Sequence, residues 1–348
     1  MKKMKICYLP FDYNLKSPGD RRRTVFWAQK RGHEVTFSLE EKCDLIVVTE
    51  KSDFRDSQIQ KNGAPVIFDL IDGYLSPENS LVDLMRGFTK KLDGQISGSI
   101  MRFSKHVAYM ASLANAVVCS SVEQRQIISK LNNNTHIILD SHSEIPLLKF
   151  RKKERDPKHL SLFWEGLPYT AYGLKLLNPT FEELNTQINL TLNCVTDNDY
   201  YRLLGKYWKI STLRYLERQL TIPPENINLY SWTIKNLISI AYQSNLALLP
   251  ISTTIPMQRL KPENRLLIMW KLGLPCLTSD SPAYARIEAE TNVSIVCKSQ
   301  SDWQESIHQY MDADFANTQV IRGQQYILNN HNDEVLLSKW DSVAESVL

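Results

Sequence analysis

The stretch "KPENRLLIMWKLGLPCLTSD" (261–280) sets a polar opening, Lys261, Asn264 and Arg265, ahead of an apolar run, a Gly-Leu-Pro step and a short apolar segment ending in Ser-Asp. Residues 266–272 read as a core helix. Gly273 stops it, because glycine accepts the left-handed backbone that helix ends favour. Residues 275–280 then read as a buried strand. With the apolar run "LALLPIS" (246–252) ahead of it, the stretch is one strand-helix-strand unit of a parallel sheet. Lys261, Asn264 and Arg265 are left outside that account. They stand at the helix start, toward the end of the sheet where ligands bind. Pro262 suits the first helical turn, where its missing N–H is not needed, so a helix near 263–273 is expected.

The same rhythm runs along the chain. In the first half, "KICYLP" (5–10), "EVTFS" (34–38), "DLIVVT" (44–49), "PVIFDLI" (65–71), "AVVCSS" (116–121) and "HIILDS" (136–141) are short, apolar and closed by polar or turn residues. This is the pattern of strands buried on both faces. Helical patterns at 20–32, 53–61, 79–92, 99–114 and 122–132 separate them, and Gly32 ends the first. "SEIPLLKFRKKERDPK" (143–158) breaks the rhythm with charge and two prolines, and reads as a linker. Strands resume at 160–166, 188–197, 227–232, 246–252, 275–280 and 293–299. Helices are expected at 178–187, 198–219, 233–244, 263–273, 282–291, 301–311, 312–330 and 333–347. The expected class is α/β: two Rossmann-like, doubly wound parallel-sheet domains facing a cleft. Their expected bounds are 1–145 and 159–330, joined by a linker at 146–158 and followed by a terminal helix in 331–348.

A length of 348 residues accommodates two such domains, and 43% hydrophobic with 23% charged residues is a globular composition. A net charge of +3 argues against a nucleic-acid partner. One local exception is Arg21-Arg22-Arg23, in a basic N-terminal segment. Six scattered cysteines without a CxxC pair read as buried, reduced thiols of a cytoplasmic protein. The start "MKKMKICYLPFDYN" has no apolar core of a signal peptide. No run reaches the roughly 18 apolar residues of a membrane span. The expected location is the cytoplasm, with peripheral contact at the inner face of the membrane left open.

Several familiar motifs are missing: GxGxxG, Walker A, GxSxG, HExxH and any Cys/His metal spacing. The seven histidines do not cluster, so neither a protein-bound metal nor a cofactor is expected. What remains is a helix start with free N–H groups, its positive dipole end, Lys261 and Arg265: an anion site suited to a diphosphate, with Asn264 able to bond phosphate, ribose or base. The plainer account is a solvated helix start. Glu165 and Gly166 end a strand; the glycine lets backbone approach a phosphate, and the carboxylate is a base, a sugar contact or merely solvated. Asp20 is a helix-cap candidate. Asp69 and Asp72 lie at a strand end, where either serves as an acceptor base or Asp72-Gly73 is only a turn. His142, with Asp140 and Glu144, stands just before the linker. Trp232 precedes a helix that Thr233 caps.

The stretch 261–280 resembles the nucleotide-binding segment of GT-B glycosyltransferases of the glycosyl transferases group 1 type. A subset of these opens the helix with K-x-x-N-R-L, matched here by Lys261, Asn264, Arg265 and Leu266. "FWEGLPYTAYGL" (163–174) is similar to their first C-domain strand and donor-facing loop, and "VVCSSVEQRQ" (117–126) to a late N-domain step. The resemblance implies transfer of a sugar from a nucleotide-sugar, itself a substrate, to a glycan or lipid-linked glycan hydroxyl, without a bound metal, in bacterial surface polysaccharide synthesis. It implies a donor site in the second domain at Lys261, Asn264, Arg265, Gly166 and Trp232. Asp20, Asp72 and Glu165 become candidate catalytic carboxylates. Arg21, Arg22, Arg23 and His142 become contacts for an anionic acceptor in the first domain, toward which the terminal helix returns. One departure stands out: the E-x7-E pair of retaining members would fall near Leu260 and at Ile268, and both are apolar. A non-catalytic nucleotide- or glycan-binding subunit is the alternative that this departure motivates.

Overall fold

The computed structural model describes residues 2–77, 79–99, 101–150, 158–203 and 207–348. Most of the linker expected at 146–158 therefore lies outside the described residues. The chain divides into two units. Unit 1 comprises 1–142, 255–262 and 331–348, and unit 2 comprises 143–254 and 263–330.

Unit 1 is built on six strands: β1 (Lys5–Leu9), β2 (Glu34–Thr36), β3 (Leu45–Thr49), β4 (Val66–Leu70), β5 (Ala116–Cys119) and β6 (Thr135–Ile137). They pair in parallel in the order β2-β1-β3-β4-β5-β6. The central strands carry apolar side chains on both faces, as crossover helices on each side require. Those helices are α1 (Pro18–Arg21), α2 (Thr24–Arg31), α3 (Ser57–Asn62), α4 (Ser80–Leu92), α5 (Phe103–Leu113) and α6 (Val122–Ile128). The strand order reverses between β1 and β3, so the crevice for a ligand lies beyond their carboxyl ends.

Unit 2 holds β7 (His159–Glu165), β8 (Asn189–Thr196), β11 (Ile227–Ser231), β12 (Leu246–Leu249), β13 (Cys276–Ser279) and β14 (Val296–Cys297) in the parallel order β11-β8-β7-β12-β13-β14. Here the order reverses between β7 and β12. An antiparallel hairpin, β9 (Asp199–Leu203) and β10 (Tyr207–Ser211), stands apart. The helices are α7 (Asn178–Asn185), α8 (Thr212–Gln219), α9 (Ile234–Gln243), α11 (Asn264–Lys271), α12 (Pro282–Thr291), α13 (Gln300–Tyr310) and α14 (Ala313–Asn330). The short α10 (Pro256–Arg259) falls in the segment that clusters with unit 1. So does the last helix, α15 (Asp333–Glu345), whose Trp340 stacks on Trp27 of α2 at 5.6 Å. All six cysteines are buried and unbridged.

The two parallel six-stranded sheets are the expected architecture. One helix expectation fails: 198–219 is a hairpin followed by the eight-residue α8.

Candidate functional site

In unit 2 the switch point gathers residues from three loops. Glu165 is the last residue of β7, and it is buried. Trp232, just past β11, is held by its N–H to the Thr196 carbonyl at 3.1 Å, at the end of β8. From there its indole Nε1 donates to Glu165 Oε1 at 2.9 Å. Thr233 caps α9 by accepting from Asn236 N at 3.0 Å, so Thr233 does the capping and Trp232 points to the carboxylate. Arg265, in the first turn of α11, donates to the Glu165 carbonyl. Its guanidinium carbon lies 5.4 Å from the Trp164 ring, and its Nε is 3.7 Å from Glu165 Oε2. Glu165, Gly166, Trp232 and Arg265 are thus brought together.

Two features of this group bear on ligands. Glu165 Oε2, Arg265 Nε and Trp164 Nε1 are buried without a hydrogen-bond partner among the described residues, and buried polar atoms are usually paired. Gly166 leaves little room for a side chain. A Cβ there would stand 3.0 Å from Thr170 Oγ1, 3.1 Å from Trp164 Cζ2 and 3.3 Å from the Arg265 guanidinium carbon. The glycine lets the cation lie against the strand end. Burial pushes the nearby Tyr284 hydroxyl far above its usual range, with Arg265 opposing, so it stays a neutral donor.

The helix start differs from expectation. α11 begins at Asn264, Glu263 holds the cap position without a capping hydrogen bond, and Pro262 precedes the helix. Asn264 and Arg265 belong to unit 2, whereas Lys261, with its N–H on the Gln258 carbonyl at 3.1 Å, belongs to unit 1. Ile268, where a ribose-binding glutamate would fall, is a buried core residue of α11.

Unit 1 corrects several assignments. Asp20 lies within α1 and Ser17 takes the cap position. The carboxylate is enclosed, accepting from Tyr8 Oη at 2.7 Å, Phe11 N at 2.8 Å and Asp12 N at 3.0 Å. Burial raises its pKa against those hydrogen bonds. It ties the loop after β1 to α1. Arg22 and Arg23 are buried. Arg23 pairs with Asp69 at 2.6 Å and reaches Asp140 at 3.4 Å, so neither it nor Asp69 faces solvent. Arg21 turns onto the Lys16 carbonyl at 2.6 Å. His142 is enclosed too, following Ser141, whose N–H bonds the Arg22 carbonyl at 2.8 Å. The three arginines therefore form no open basic patch. Asp72 alone among the proposed carboxylates is exposed, in the turn after β4.

The sequence reading missed a crevice of about 720 Å³ at the switch point of unit 1. Phe11 after β1, Phe37 after β2, and Lys51, Asp53 and Arg55 after β3 line it, with Tyr13 edge-on to Phe37 at 6.3 Å. Three strand ends contribute, so no single stretch signals it; only the strand order would have.

No protein-family model matches the chain, and no curated protein sequence matches it. Solved structures do. HepE from Anabaena, in complex with UDP and glucose, is 12% identical with a TM-score of 0.64, over 99% of this chain and 100% of that one. WaaG, a glycosyltransferase involved in lipopolysaccharide biosynthesis, is 14% identical with a TM-score of 0.52, over 99% of each chain. S. aureus TarM is 12% identical with a TM-score of 0.58, over 92% of this chain, which spans 57% of TarM. With its two parallel six-stranded sheets, the chain has the fold of these GT-B glycosyltransferase structures.

Proposed function

We propose that the protein is a glycosyltransferase that moves a sugar from a nucleotide-sugar to a hydroxyl of a glycan or lipid-linked glycan in bacterial surface polysaccharide synthesis. The observation that carries this reading is the group at the end of β7. Arg265 lies against Gly166 at the sheet's switch point, beside a buried carboxylate with an unpartnered oxygen. The donor diphosphate would sit at the start of α11, where N–H groups, the helix dipole and Arg265 offset its charge. Asn264 and Lys261 are further proposed contacts. Glu165 Oε2 would accept a hydroxyl of the ribose or sugar, the contact that Ile268 cannot make. Trp232, tied to that carboxylate, orients it.

In the transfer, the bond from the anomeric carbon to the diphosphate oxygen breaks and a bond to the acceptor oxygen forms. The acceptor proton passes to a base, for which exposed Asp72 is the proposal, and Arg265 stabilises the leaving diphosphate as its charge develops. No bound metal is invoked. The aromatic-edged crevice of unit 1 is proposed for the acceptor.

Titration with UDP, GDP, ADP, CMP and dTDP, followed by turnover assays with the matching nucleotide-sugars with and without EDTA, tests the reading. Arg265→Ala should weaken nucleotide binding roughly 10- to 100-fold, the range of a charged hydrogen bond, and Lys261→Ala should also weaken it. Wild-type affinity in both variants would overturn the donor site. A second reading, a nucleotide- or glycan-binding subunit without catalysis, is favoured by the apolar residue at Ile268. Tight nucleotide binding with no turnover on any donor and acceptor pair would select it.

A further inference from the structure

We propose that Leu260 is a positioning residue of the transfer: it pegs the segment that carries Lys261 onto unit 1, in fixed register with the turn that carries Asp72. The inference rests on the transferase reading above, with Asp72 as the base and Lys261 at the diphosphate. The division of the chain is irregular at this place. Residues 255–262 cluster with unit 1, although the residues on both sides, 143–254 and 263–330, belong to unit 2. So short an excursion needs its own anchor. Leu260 is the apolar residue that it buries. This is also the position near which the first glutamate of the E-x7-E pair would fall.

The anchor is built from the start of α6 and the turn after β4. Gly73, next to Asp72, lets the leucine in. A Cβ there would stand 2.9 Å from Leu260 Cδ1, 3.1 Å from Leu260 Cβ and 3.2 Å from the Met257 carbonyl oxygen. Ser121, the cap of α6, donates from Oγ to the Leu260 carbonyl at 2.8 Å. Ser120 and Gln124 beside it hold the other side. Ser120 Oγ and Gln124 Nε2 donate to the Ile71 carbonyl at 3.2 Å and 2.8 Å. Gln124 is fixed in turn by accepting from Ser120 N at 2.8 Å. All three side chains are buried, so each of these bonds is costly to leave unmade. The void left beside Leu260 is about 10 Å³, room for one water at most.

One helix start therefore grips the chain just before Asp72, at Ile71, and just before Lys261, at Leu260. Each gripped segment is stiffened by its own turn. Lys261 N donates to the Gln258 carbonyl at 3.1 Å, and Tyr74 N to the Asp72 carbonyl at 2.9 Å. The reaction needs such a register. The base must reach the acceptor proton while the cation meets the diphosphate as its bond breaks, and a misplacement of about 1 Å can cost roughly a hundredfold in rate. A glutamate at position 260 would not serve here. Leu70, Ile127 and Ile128 line the slot, and a carboxylate among them would be buried without a partner. The apolar residue at 260 thus has a use of its own in this chain, as a peg.

Amide hydrogen exchange, titration with UDP, GDP, ADP, CMP and dTDP, and turnover of the full chain test this in Leu260→Ala, Leu260→Met and Gly73→Ala. In Leu260→Ala the amides of 255–262 should exchange at least about tenfold faster. Nucleotide affinity should fall about three- to tenfold, and kcat at saturating substrates about ten- to a hundredfold. Leu260→Met refills the slot and should regain most of both losses. Gly73→Ala leaves the leucine in place and should show the same pattern. Combined with Leu260→Ala it should lose less than the product of the two single losses, because its methyl enters space that the leucine vacates. A merely structural peg would lower the unfolding midpoint and leave affinity and kcat per folded molecule at wild-type values, which would overturn the positioning role. Unchanged exchange in Leu260→Ala, or independent effects of the two substitutions, would overturn it as well. A wild-type chain that binds no nucleotide and turns over no nucleotide-sugar would instead overturn the transferase reading and the role in transfer with it, while exchange in 255–262 would still decide whether Leu260 holds the segment.

Discussion

Gly166 shows how one missing side chain couples stability to binding. Its would-be Cβ meets three neighbours of unequal freedom. Trp164 is fully buried and cannot yield, whereas Arg265 is partly exposed and can. In Gly166→Ala the guanidinium should therefore move. Overpacking should cost about 1–2 kcal/mol of stability in urea unfolding. Nucleotide affinity in titration calorimetry should fall by about tenfold, equivalent to roughly 1.4 kcal/mol. Unchanged affinity with lost stability would mean that the glycine serves packing alone. Arg265, Gly166, Glu165 and Trp232 were legible in the sequence because each stands at a strand end or helix start that its own neighbours define. Asp20, Arg22 and His142 were not, since polarity beside a strand end does not tell which way a side chain turns. Asp20 is drawn inward by Tyr8 and by two loop N–H groups, partners that only the fold supplies.

At the scale of elements, strands with apolar runs on both faces were readable, and the segment 198–219 was not. "DYYRLLGKYWKIST" (199–212) is rich in Tyr and Trp, which favour strands, yet its Leu and Arg suit a helix equally well. The cross-strand partners that decide it, such as Lys209 opposite Tyr201, with its amine 3.0 Å from Asp199 on the diagonal, lie outside any local window. The contact of α15 with α2 allows two kinds of interaction to be weighed. Trp340 is fully buried, stacks on Trp27 and lies 5.9 Å from the Arg23 guanidinium. Trp27 Nε1 also donates to Asp341 at 2.8 Å. Nearby, Arg31 bridges Glu334 at 2.6 Å and Asp341 at 2.7 Å, but Glu334 is largely exposed. Burial should win. Trp340→Ala should cost about 3–5 kcal/mol and Glu334→Ala no more than about 1 kcal/mol in denaturant unfolding. Comparable losses from the two would mean that charge, not the aromatic stack, holds α15.

Across the whole molecule the two sheets share a plan and differ in strand order, 2-1-3-4-5-6 in unit 1 against 3-2-1-4-5-6 in unit 2 when each is numbered from its own first strand. Alternating pattern announced parallel sheets, but strand order depends on crossovers that no local pattern encodes, so the crevice beside β3 went unseen. At that same end of unit 1, Glu50 follows β3, buried, with Oε2 lacking a partner among the described residues. Burial, reinforced by the Asp72 carboxylate and with Asp69 adding less, pushes its pKa up to about 8 against the opposing charge of Lys90. An unfolded glutamate titrates near 4.3, roughly. Between these values the unfolded chain has released a proton that the folded chain retains. Stability from this group is therefore full below about pH 4, falls as pH rises, and levels off above about pH 8. Glu50→Gln keeps the shape of the neutral acid and removes the titration. Its stability in urea should match wild type within about 1 kcal/mol at pH 5 and exceed it by a few kcal/mol at pH 9. Lys90 limits the gain, because it loses a partner when Glu50 no longer ionises. Parallel pH profiles for the two proteins would show that Glu50 ionises in the folded state as it does in water.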